Sequence, residues 1–344
     1  MKIQKNFILI VILVVIPLFF ASYLADSIHG STATAVTTIK VMTFNVRNAN
    51  ANDGINDWDY QNYHRKDRAF QIIAAANPDI LCVQEALNGA YGNQVTDLQN
   101  LSGYTWYGVG RNDGKEEGER EGIMFRTSRF KLVDQGQFWI SNSPNTPGTT
   151  FATSAMCPDW DYGNPRIATW VKLLDNVNGK TYFVLNQHWA VAVETQPMSA
   201  ALIRQMIGKL SGGLPLIMTG DLNMTDAPHC DVTGLNVFNG YDKLRIGTQS
   251  NGDTLVLVDA YRSVHPTPTD YPPGETTYHA YHGGTCFWDY LENPPDEGDN
   301  YRIDFIFTSK DFKTIQSDIL RDSYGSQGEW PSDHYPVIAV LTIL

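Results

Sequence analysis

Short apolar runs, separated by glycine, asparagine, aspartate and proline, dominate the chain from residue 38 onward. Ile39–Val46 alternates between apolar and polar positions, which predicts a strand. Helical spacing of apolar residues predicts helices over Arg65–Ala76, which should end at Asn77 because Pro78 follows it, and over Ser199–Leu210. Further strands are predicted at Ile80–Gln84, Ile123–Phe125, Phe130–Ile140, Ile167–Leu174, Thr181–Asn186, Leu214–Thr219, Ile303–Thr308 and Val337–Ile343.

Two pairs of these strands are predicted to be neighbours. Asn176–Gly179 forms a turn between Ile167–Leu174 and Thr181–Asn186, which is typical of a hairpin. Ile123–Phe125 and Phe130–Ile140 are expected to pair around a second turn. Because strands outnumber helices and hairpins mix with helical connections, we predict an α/β fold. It should consist of two mostly antiparallel sheets packed face to face, with helices outside.

The N-terminal segment has the order of an export signal. Lys2 and Lys5 precede the apolar run Phe7–Phe20, and small and polar residues follow. An uncleaved membrane anchor is the alternative, because the apolar stretch is just long enough to span a bilayer. Either way we expect the rest of the chain to be exported, as a secreted, periplasmic or membrane-anchored protein. The predicted organisation is a signal or anchor over 1–25, a linker over 26–37 and one domain over 38–344.

Composition and charge narrow the class of protein. Of the 344 residues, 42% are hydrophobic and 18% are charged, a globular balance that excludes a disordered or polytopic membrane protein. The formal net charge of −12 argues against a protein that coats nucleic acid through a basic face. It leaves open a hydrolase that meets phosphate through a bound cation.

The four cysteines are too few for a disulfide scaffold. Cys82 falls in a predicted core strand and should be a buried thiol. Cys230 and Cys286 lie in predicted loops, where export would permit a bridge between them, and Cys157 is the competing partner. Four histidines belong to no motif and are predicted to be surface residues: His64, His229, His265 and His282.

Several predicted strands finish on, begin with or are preceded by an acid, an amide or a histidine. These residues are Asn45, Glu85, His188, Asp221, Asn223, Asp304, Asp333 and His334. If the strands share a pair of sheets, the residues converge on one rim, where carboxylates repel one another unless a cation joins them. Oxygen ligands with few histidines suit a hard ion such as Mg²⁺. A single strand-end Asp or Asn is usually a turn former, so the prediction rests on their combination and order.

The same positions form motifs in a fixed order: Thr43-Phe-Asn45-Val-Arg47, Gln84-Glu85, Asn186-Gln-His188, Thr219-Gly-Asp221-Leu-Asn223, Arg302-Ile-Asp304 and Ser332-Asp333-His334. In this set the chain resembles the endonuclease/exonuclease/phosphatase superfamily, which includes pancreatic deoxyribonuclease, abasic-site endonucleases, neutral sphingomyelinases and inositol-polyphosphate phosphatases. The resemblance covers residues 39–343 and is closer to uncharacterised secreted bacterial members. It implies a four-layer α/β sandwich and metal-dependent hydrolysis of a phosphoester, without specifying a substrate class.

The resemblance also implies roles for individual residues. Glu85 would be the principal Mg²⁺ ligand, with Asn45 and Asp333 nearby, and Mn²⁺ or Ca²⁺ are alternative ions. Asn45 would in addition contact the substrate. Asp221 and Asn223 would orient the attacking water and the phosphate.

A second group of residues is implied around the phosphate. Asp304 would pair with His334, as a carboxylate that fixes an imidazole. His188 would face the phosphate from the other side, supported by the carboxylate of Glu121. Arg166 would contact the phosphate, since a guanidinium can grip two phosphate oxygens.

The implied chemistry leaves two assignments of the general base open. A bound Mg²⁺ would cancel charge on the phosphate and stabilise the leaving oxygen. Either the Asp304–His334 pair takes the proton from water, or it holds the phosphate while Asp221 acts as the base.

The function expected first is a secreted, Mg²⁺-dependent, monomeric phosphoesterase that hydrolyses a phosphodiester, with nucleic acid or phospholipid as the substrate. A phospholipid or sphingomyelin head-group hydrolase and a sugar-phosphate phosphatase are alternatives. A non-catalytic binding module on the same fold is a second class, which the intact motif set disfavours. The aromatic-rich stretch His265–Asn300 lacks periodicity and is expected to be functional, as a substrate wall or as a local mini-core. Within it, His279 is a candidate for lining the site.

Overall fold

The computed structural model describes residues 37–59, 65–151, 164–226, 240–247, 253–267, 275–281, 302–322 and 329–344. Its main elements are β1 (Thr38–Asn45), α1 (Arg65–Ala76), β2 (Ile80–Ala86), β3 (Asn88–Gly89), β4 (Gly92–Asn93), α2 (Gln94–Gln99), β5 (Tyr104–Tyr107), β6 (Arg120–Arg126), β7 (Phe130–Trp139), β8 (Ile167–Asp175), β9 (Thr181–His188), α3 (Gln196–Leu210), β10 (Leu216–Asp221), α4 (Gly240–Ile246), β11 (Leu257–Asp259), α5 (Ala260–Val264), β12 (Asp304–Ser309), β13 (Phe312–Ile319) and β14 (Val337–Ile343). These elements belong to one compact unit, Val36–Leu344. Among the described helices, none has the length and apolar character needed to cross a membrane.

Two six-stranded sheets form the framework. The first has the strand order β13-β14-β1-β2-β6-β5, and the second has the order β11-β12-β10-β9-β8-β7. Each sheet has one parallel pair near its centre, β1 with β2 and β9 with β10. The other neighbours are antiparallel. The predicted α/β class with two mostly antiparallel sheets is therefore confirmed.

Alternating side chains build the layers, because adjacent residues of a strand point to opposite faces. In β1, Val41 lies in the core between the two sheets, whereas Met42 packs in the cluster that contains α1. In β9, Val184 lies in the core between the sheets, whereas Leu185 packs in the cluster that contains α3. The order of layers is helix, sheet, sheet, helix, which confirms the four-layer sandwich.

Several predicted elements have the expected bounds. Helix α1 covers the predicted range, and β8 and β9 form the predicted hairpin. Helix α3 begins at Gln196, three residues before the predicted start, with Pro197 in its first turn. Proline is suited to this position because the first turn leaves backbone N–H groups without partners inside the helix.

The predicted pairing of Ile123–Phe125 with Phe130–Ile140 is wrong. These segments form β6, which pairs with β2 and β5 in the first sheet, and β7, which pairs with β8 in the second. Phe125 and Phe130 both pack in the core between the sheets. A turn between two apolar runs therefore connects two layers here, and local sequence pattern does not distinguish this crossing from a hairpin.

Among the strands that were not predicted from the sequence are β5 and β13. Strand β5 lies at a sheet edge, and all four of its residues are only half-buried. Strand β13 has an irregularity between Thr314 and Gln316 that interrupts its alternation. Both features weaken the periodic signal from which strands are predicted.

The buried thiol of Cys82 is confirmed. This cysteine is fully buried and unbridged, and burial raises the pKa of its thiol to about 12. His265 is half-buried, its ring stacks on Tyr261 at 4.3 Å, and its Nε2 lies 2.8 Å from the carbonyl oxygen of Ser317. The other cysteines and unassigned histidines lie outside the described residues: Cys157, Cys230, Cys286, His64, His229 and His282.

Candidate active site

The polar strand ends meet on one rim of the sandwich. Asn45 ends β1 and Glu85 lies near the end of β2, so both come from the first sheet. His188 ends β9, Asp221 ends β10 and Asp304 begins the antiparallel neighbour β12 in the second sheet. Within that sheet Asp221 is in register with both His188 and Asp304. The rim is therefore assembled from both sheets, as predicted.

The side-chain amide of Asn45 connects acids from the two sheets. Its Nδ2 donates to Glu85 Oε1 at 2.9 Å and to Asp221 Oδ2 at 2.9 Å. Its Oδ1 accepts the backbone N–H of Arg47 at 2.9 Å. Asn45 is completely buried, so these bonds fix its orientation.

Glu85 is held in an uncommon backbone conformation at the end of β2. Its φ of 62° lies in the left-handed region, where a residue with a Cβ is strained. Its Oε2 accepts hydrogen bonds from the backbone N–H and the amide of Asn48. Burial alone would raise the pKa of this carboxyl, but His188, Arg47 and the Asn45 amide outweigh burial and hold the pKa well below its usual range. Glu85 is thus an ionised ligand candidate.

His188 and Asn223 lie on the other side of Asp221. The amide nitrogen of Asn223 is 3.1 Å from His188 Nε2 and donates to the carbonyl of Trp189 at 3.0 Å. His188 Nε2 lies 3.5 Å from Asp221 Oδ2. Burial and the nearby guanidinium of Arg166 lower the pKa of His188, which favours the neutral imidazole.

His334 stands between two carboxylates. Its Nδ1 is 2.9 Å from Asp304 Oδ2, and its Nε2 is 3.7 Å from Asp221 Oδ2. Burial opposes the charged imidazole, but the attraction of Asp304, together with Asp221 and Asp333, outweighs it and raises the pKa of His334 to about 10. Burial and the neighbouring Asp304 raise the pKa of Asp221 to about 7. The predicted Asp304–His334 pair is present in the structure.

Asp333 approaches the site from the segment that precedes β14. Its carboxylate lies 3.7 Å from Arg47 Nε, and Arg47 also contacts Asp53 at 3.1 Å. The hydroxyl of Ser332 donates to the backbone carbonyl of Asn45 at 2.7 Å. These contacts place the 332–334 segment against the end of β1.

The donor atoms can hold a divalent cation. Glu85, His188 and Asp221 each place one donor atom within 4.8 Å of the others, and so do Asp221, Asp304 and His334. Asp221 belongs to both groups, and burial, together with repulsion from Asp304, raises its pKa. A cation would relieve this repulsion, so the predominantly oxygen donor set fits a hard ion.

Glu121 does not support His188 as the resemblance implied. Glu121 is completely buried, and neither of its carboxylate oxygens has a hydrogen-bond partner among the described residues. His188 Nδ1 is likewise without such a bond to the described part of the chain. Burial and the neighbouring Glu119 raise the pKa of Glu121 to about 8. At neutral pH Glu121 is thus mostly a neutral acid in surroundings that also contain Arg111 and Arg166.

No role was predicted from the sequence for a buried network of polar side chains below the rim. Asn186 donates to the carbonyls of Val83 at 2.8 Å and Gly122 at 2.9 Å, both in the first sheet. Its Oδ1 accepts from Gln84 Nε2 at 2.6 Å and from the Thr219 hydroxyl at 3.1 Å. These bonds join the two sheets one or two residues before the strand ends that form the site. Gln84 and Asn186 were visible as motif residues, and their buried amides were the available signal.

Arg65 is a second residue whose role was missed. It is almost completely buried above the ring of Trp58. Its guanidinium donates to the carbonyls of Val46, Arg47 at 2.9 Å, Asn56 at 2.6 Å and Pro331 at 3.3 Å. The side chain therefore joins the loop after β1 to the segment that carries Asp333 and His334.

Part of the aromatic-rich stretch borders the site. The ring of Tyr278 packs against His334, with 4.9 Å between the ring centroids. His279 is completely buried, stacks on Tyr335 at 4.0 Å and lies 4.9 Å from the ring of Trp330. In the described part of this stretch Tyr278 lines the site, whereas His279 packs behind it.

Sequence and structure comparisons agree with this geometry. The profile of the Endonuclease/Exonuclease/phosphatase family matches residues 42–334. The chain is similar to the crystal structure of an endonuclease/exonuclease/phosphatase from Bacteroides vulgatus, with 29% identity, 90% of this chain and 100% of that chain covered, and a TM-score of 0.68. It is similar to a mannosyl-6-phosphatase of Bacteroides thetaiotaomicron, with 27% identity, 89% and 100% coverage and a TM-score of 0.65. An uncharacterised protein of Acanthamoeba polyphaga mimivirus is 26% identical over 212 residues, which are 56% of this chain and 73% of that protein.

Proposed function

The chain belongs to the endonuclease/exonuclease/phosphatase family, and we propose that it hydrolyses a phosphoester with the help of a bound divalent cation. The observation that carries this proposal is the alignment of Asp304, His334 and Asp221 beside Glu85, on a rim to which both sheets contribute. One site thus contains a positively charged imidazole that can bind phosphate, a carboxylate whose pKa is about 7 and an ionised carboxylate that can bind a cation.

The pKa values favour one of the two assignments of the base. His334 remains protonated at neutral pH because its pKa is raised to about 10, so its imidazolium suits binding of a phosphate oxygen. Asp304 holds the ring by its Nδ1 and leaves Nε2 directed toward Asp221. Asp221, with a pKa of about 7, accepts a proton more readily at neutral pH than an ordinary carboxylate does. We therefore assign the proton acceptor to Asp221 and phosphate binding to His334.

Glu85 is the residue that would hold the cation, and the donor atoms of His188 and Asp221 lie within 4.8 Å of its carboxylate. Asn45 bonds to both acids, and Asp333 contributes further negative charge beside Glu85. When bound, the ion neutralises phosphate charge and stabilises the leaving oxygen. Mg²⁺ is the ion we propose first, with Mn²⁺ as the alternative, because both prefer oxygen ligands.

We propose a small sugar phosphate as the substrate class. The support is the likeness to the mannosyl-6-phosphatase, which spans 89% of this chain at 27% identity. The net charge of −12 is consistent with a small substrate, since an acidic surface repels a long polyanion. A phosphodiester is the second candidate, supported by the Tyr278 ring beside His334, on which a sugar or base can pack.

A substrate panel tests both proposals. The chain is assayed on mannose 6-phosphate, glucose 6-phosphate, p-nitrophenyl phosphate, bis-p-nitrophenyl phosphate, sphingomyelin, and single-stranded and duplex DNA, with Mg²⁺, Mn²⁺, Ca²⁺ or EDTA. We expect metal-dependent release of phosphate from a sugar phosphate. Hydrolysis of bis-p-nitrophenyl phosphate alone would move the assignment to the phosphodiester candidate. Full activity in excess EDTA would overturn the cation proposal.

A pair of matched variants links the activity to the site. Glu85→Gln removes the charge of the proposed cation ligand, whereas Glu116→Gln makes the same change at an acid whose side chain is 86% exposed. Only the first should lose metal-dependent activity. Equal activity in both variants would separate the measured hydrolysis from this rim.

We also propose that residues 1–25 direct export of the chain and that it acts as a monomer. The order of basic, apolar and small residues in this segment supports the export proposal. Fractionation after expression of the full chain in a bacterium, with the mass of the exported product, tests it. An uncleaved product in the membrane fraction would select the anchor, and an intact product in the cytoplasm would overturn export. Light scattering of the purified chain tests the monomer.

A further inference from the structure

The segment 275–281 packs beside both members of the Asp304–His334 pair. It lies between Glu275, which accepts hydrogen bonds from Arg262 at 2.8 and 2.5 Å, and Tyr281, whose hydroxyl is 3.3 Å from Asp53. It is thus attached at one end to α5 and at the other to the loop after β1. Between these attachments, Thr277, His279 and Ala280 form hydrogen bonds to backbone on either side of the pair.

Thr277 contacts the backbone beside both members of the pair. Its hydroxyl oxygen accepts the N–H of Ile303 at 3.0 Å and that of Asp304 at 3.2 Å. Its carbonyl oxygen accepts the N–H of Tyr335 at 2.7 Å. Thr277 is completely buried, so water does not substitute for these bonds in the folded chain. One residue therefore holds the start of β12 and the residue after His334 at a set separation.

The neighbours of Thr277 reinforce the same connection. The N–H groups of His279 and Ala280 both donate to the backbone carbonyl of Asp333, at 2.9 and 3.2 Å. Tyr278 pairs with His334 through the backbone, and its ring covers part of the imidazole. The imidazole is thus fixed by Asp304 at one ring nitrogen and by Tyr278 across one face.

We propose that Thr277 is a positioning residue that sets the Asp304–His334 geometry by tying together the backbones of the two residues. This inference rests on the proposed function for its kinetic consequence, but the geometry of the pair can be measured without it. The bond of 2.9 Å joins Asp304 and His334 across 30 positions of the chain, so a shift of either backbone would disturb it. A displacement on the order of 1 Å in an active site can lower turnover about 100-fold.

The test compares three changes at one position. Thr277→Ser keeps the hydroxyl, Thr277→Val keeps the shape without it, and Thr277→Ala leaves room for a water to meet the two N–H groups. For Thr277→Val we expect kcat to fall about 10- to 100-fold with KM changed less than about twofold. Thr277→Ser should stay within about threefold of the parent. If Thr277→Val does not fold, Thr277→Ala provides the comparison, with a smaller loss of kcat in the same direction.

Ser309→Ala is the matched control. The hydroxyl of Ser309 accepts the N–H of Leu216 at 3.0 Å at the far end of the same strand, β12. Its removal also costs a buried hydrogen bond to backbone but touches neither member of the pair. We expect a lower melting temperature with unchanged kcat. A loss of kcat in Thr277→Val no larger than in Ser309→Ala would overturn the positioning role.

A spectroscopic measurement separates failure of this inference from failure of the proposed function. The proton between His334 Nδ1 and Asp304 gives a downfield NMR signal, which His334→Ala identifies by its loss. This signal should be retained in Thr277→Ser and shifted or lost in Thr277→Val. If the parent hydrolyses no phosphoester but the signal changes as expected, the proposed function fails and the positioning role stands. An unchanged signal in Thr277→Val would overturn the inference whatever the activity.

Discussion

Asn45 at the end of the first sheet donates a 2.9 Å hydrogen bond to Asp221 at the end of the second, although 176 positions separate them in the chain. The same amide nitrogen donates to Glu85. A neutral donor therefore stands between two buried acids that would otherwise repel each other. This contact explains why an amide, and not a third carboxylate, ends β1.

Asn45→Asp should destabilise the chain and make its stability depend more strongly on Mg²⁺. The variant replaces two charge-assisted hydrogen bonds by repulsion between three acids, which we expect to cost about 3 kcal/mol in EDTA. Added Mg²⁺ should raise its melting temperature by more than it raises that of the parent, since the ion offsets this repulsion. Thermal unfolding with and without Mg²⁺ measures this, with Asn45→Ala as the control without added charge. An equal Mg²⁺ shift in parent and variant would contradict it.

Glu85→Gln should lose about 100-fold in kcat, or about 2.7 kcal/mol of transition-state stabilisation at 1.36 kcal/mol per factor of ten. Removal of its charge leaves a weaker cation ligand, and the single amide oxygen of glutamine can accept from Asn45 or from Asn48 but not from both. Part of the activity should return at high Mg²⁺ concentration. The measurement is kcat as a function of Mg²⁺ concentration, and a parent-like curve for the variant would contradict the ligand assignment.

Asp304→Ala, His334→Ala and the double variant should show similar losses of kcat/KM. The 2.9 Å contact makes the two side chains one unit, and residues that act as a unit give non-additive losses. Steady-state kinetics of all three variants completes the cycle. If the two single losses multiply in the double variant, the residues act independently.

Asp221→Asn should stabilise the protein at pH 8 but not at pH 4. The pKa of Asp221 is raised to about 7 from its ordinary 3.8, so ionisation of this acid costs folding free energy as the pH rises through that window. Asparagine avoids the cost, which we expect to be a few kcal/mol. Melting temperatures between pH 4 and pH 9 in EDTA test the sign, and a difference independent of pH would refute it. The same variant should lose activity, because it removes the proposed proton acceptor.

Glu121→Gln should keep activity within about threefold of the parent. With a pKa raised to about 8, Glu121 is mostly protonated at neutral pH, and glutamine resembles the protonated acid. The raised pKa also implies that the stability of the parent falls as the pH rises from the ordinary value of 4.5 to about 8, so the variant should be the more stable of the two at pH 9. Kinetics at pH 7 beside His188→Ala is the comparison. A loss as large as that of His188→Ala would restore the support of His188 by Glu121.

The two sheets and most of the rim could be predicted because the sequence patterns that mark them lie within single strands and helices. Period-two and helical patterns located α1 and the central strands, and polar residues at strand ends marked Asn45, Glu85, His188 and Asp221 as members of one edge. The parallel pairs then bring those ends together, since parallel strands finish at the same edge of a sheet. The order of the motifs then indicated which family the chain resembles.

The features that were missed depend on contacts between distant segments. The crossing from β6 to β7 is determined by which layer each strand joins, and a short apolar run does not encode this. The role of Arg65 also depends on distant contacts, because its guanidinium binds backbone carbonyls of two separate segments, the connection after β1 and the segment before β14. Every residue has a backbone carbonyl, so the residue type of the partner does not reveal such a hydrogen bond.

The division of the rim between two sheets has a consequence for the order of folding events. Asn45 and Glu85 belong to one sheet and His188 and Asp221 to the other, and Asn186 and Gln84 connect the two layers below them. A chain in which each sheet has formed but the layers have not docked carries only half of the ligand set. Tight binding of a paramagnetic ion such as Mn²⁺ should therefore begin only when the sheets dock. The time course of ion binding would then report the last stage of refolding.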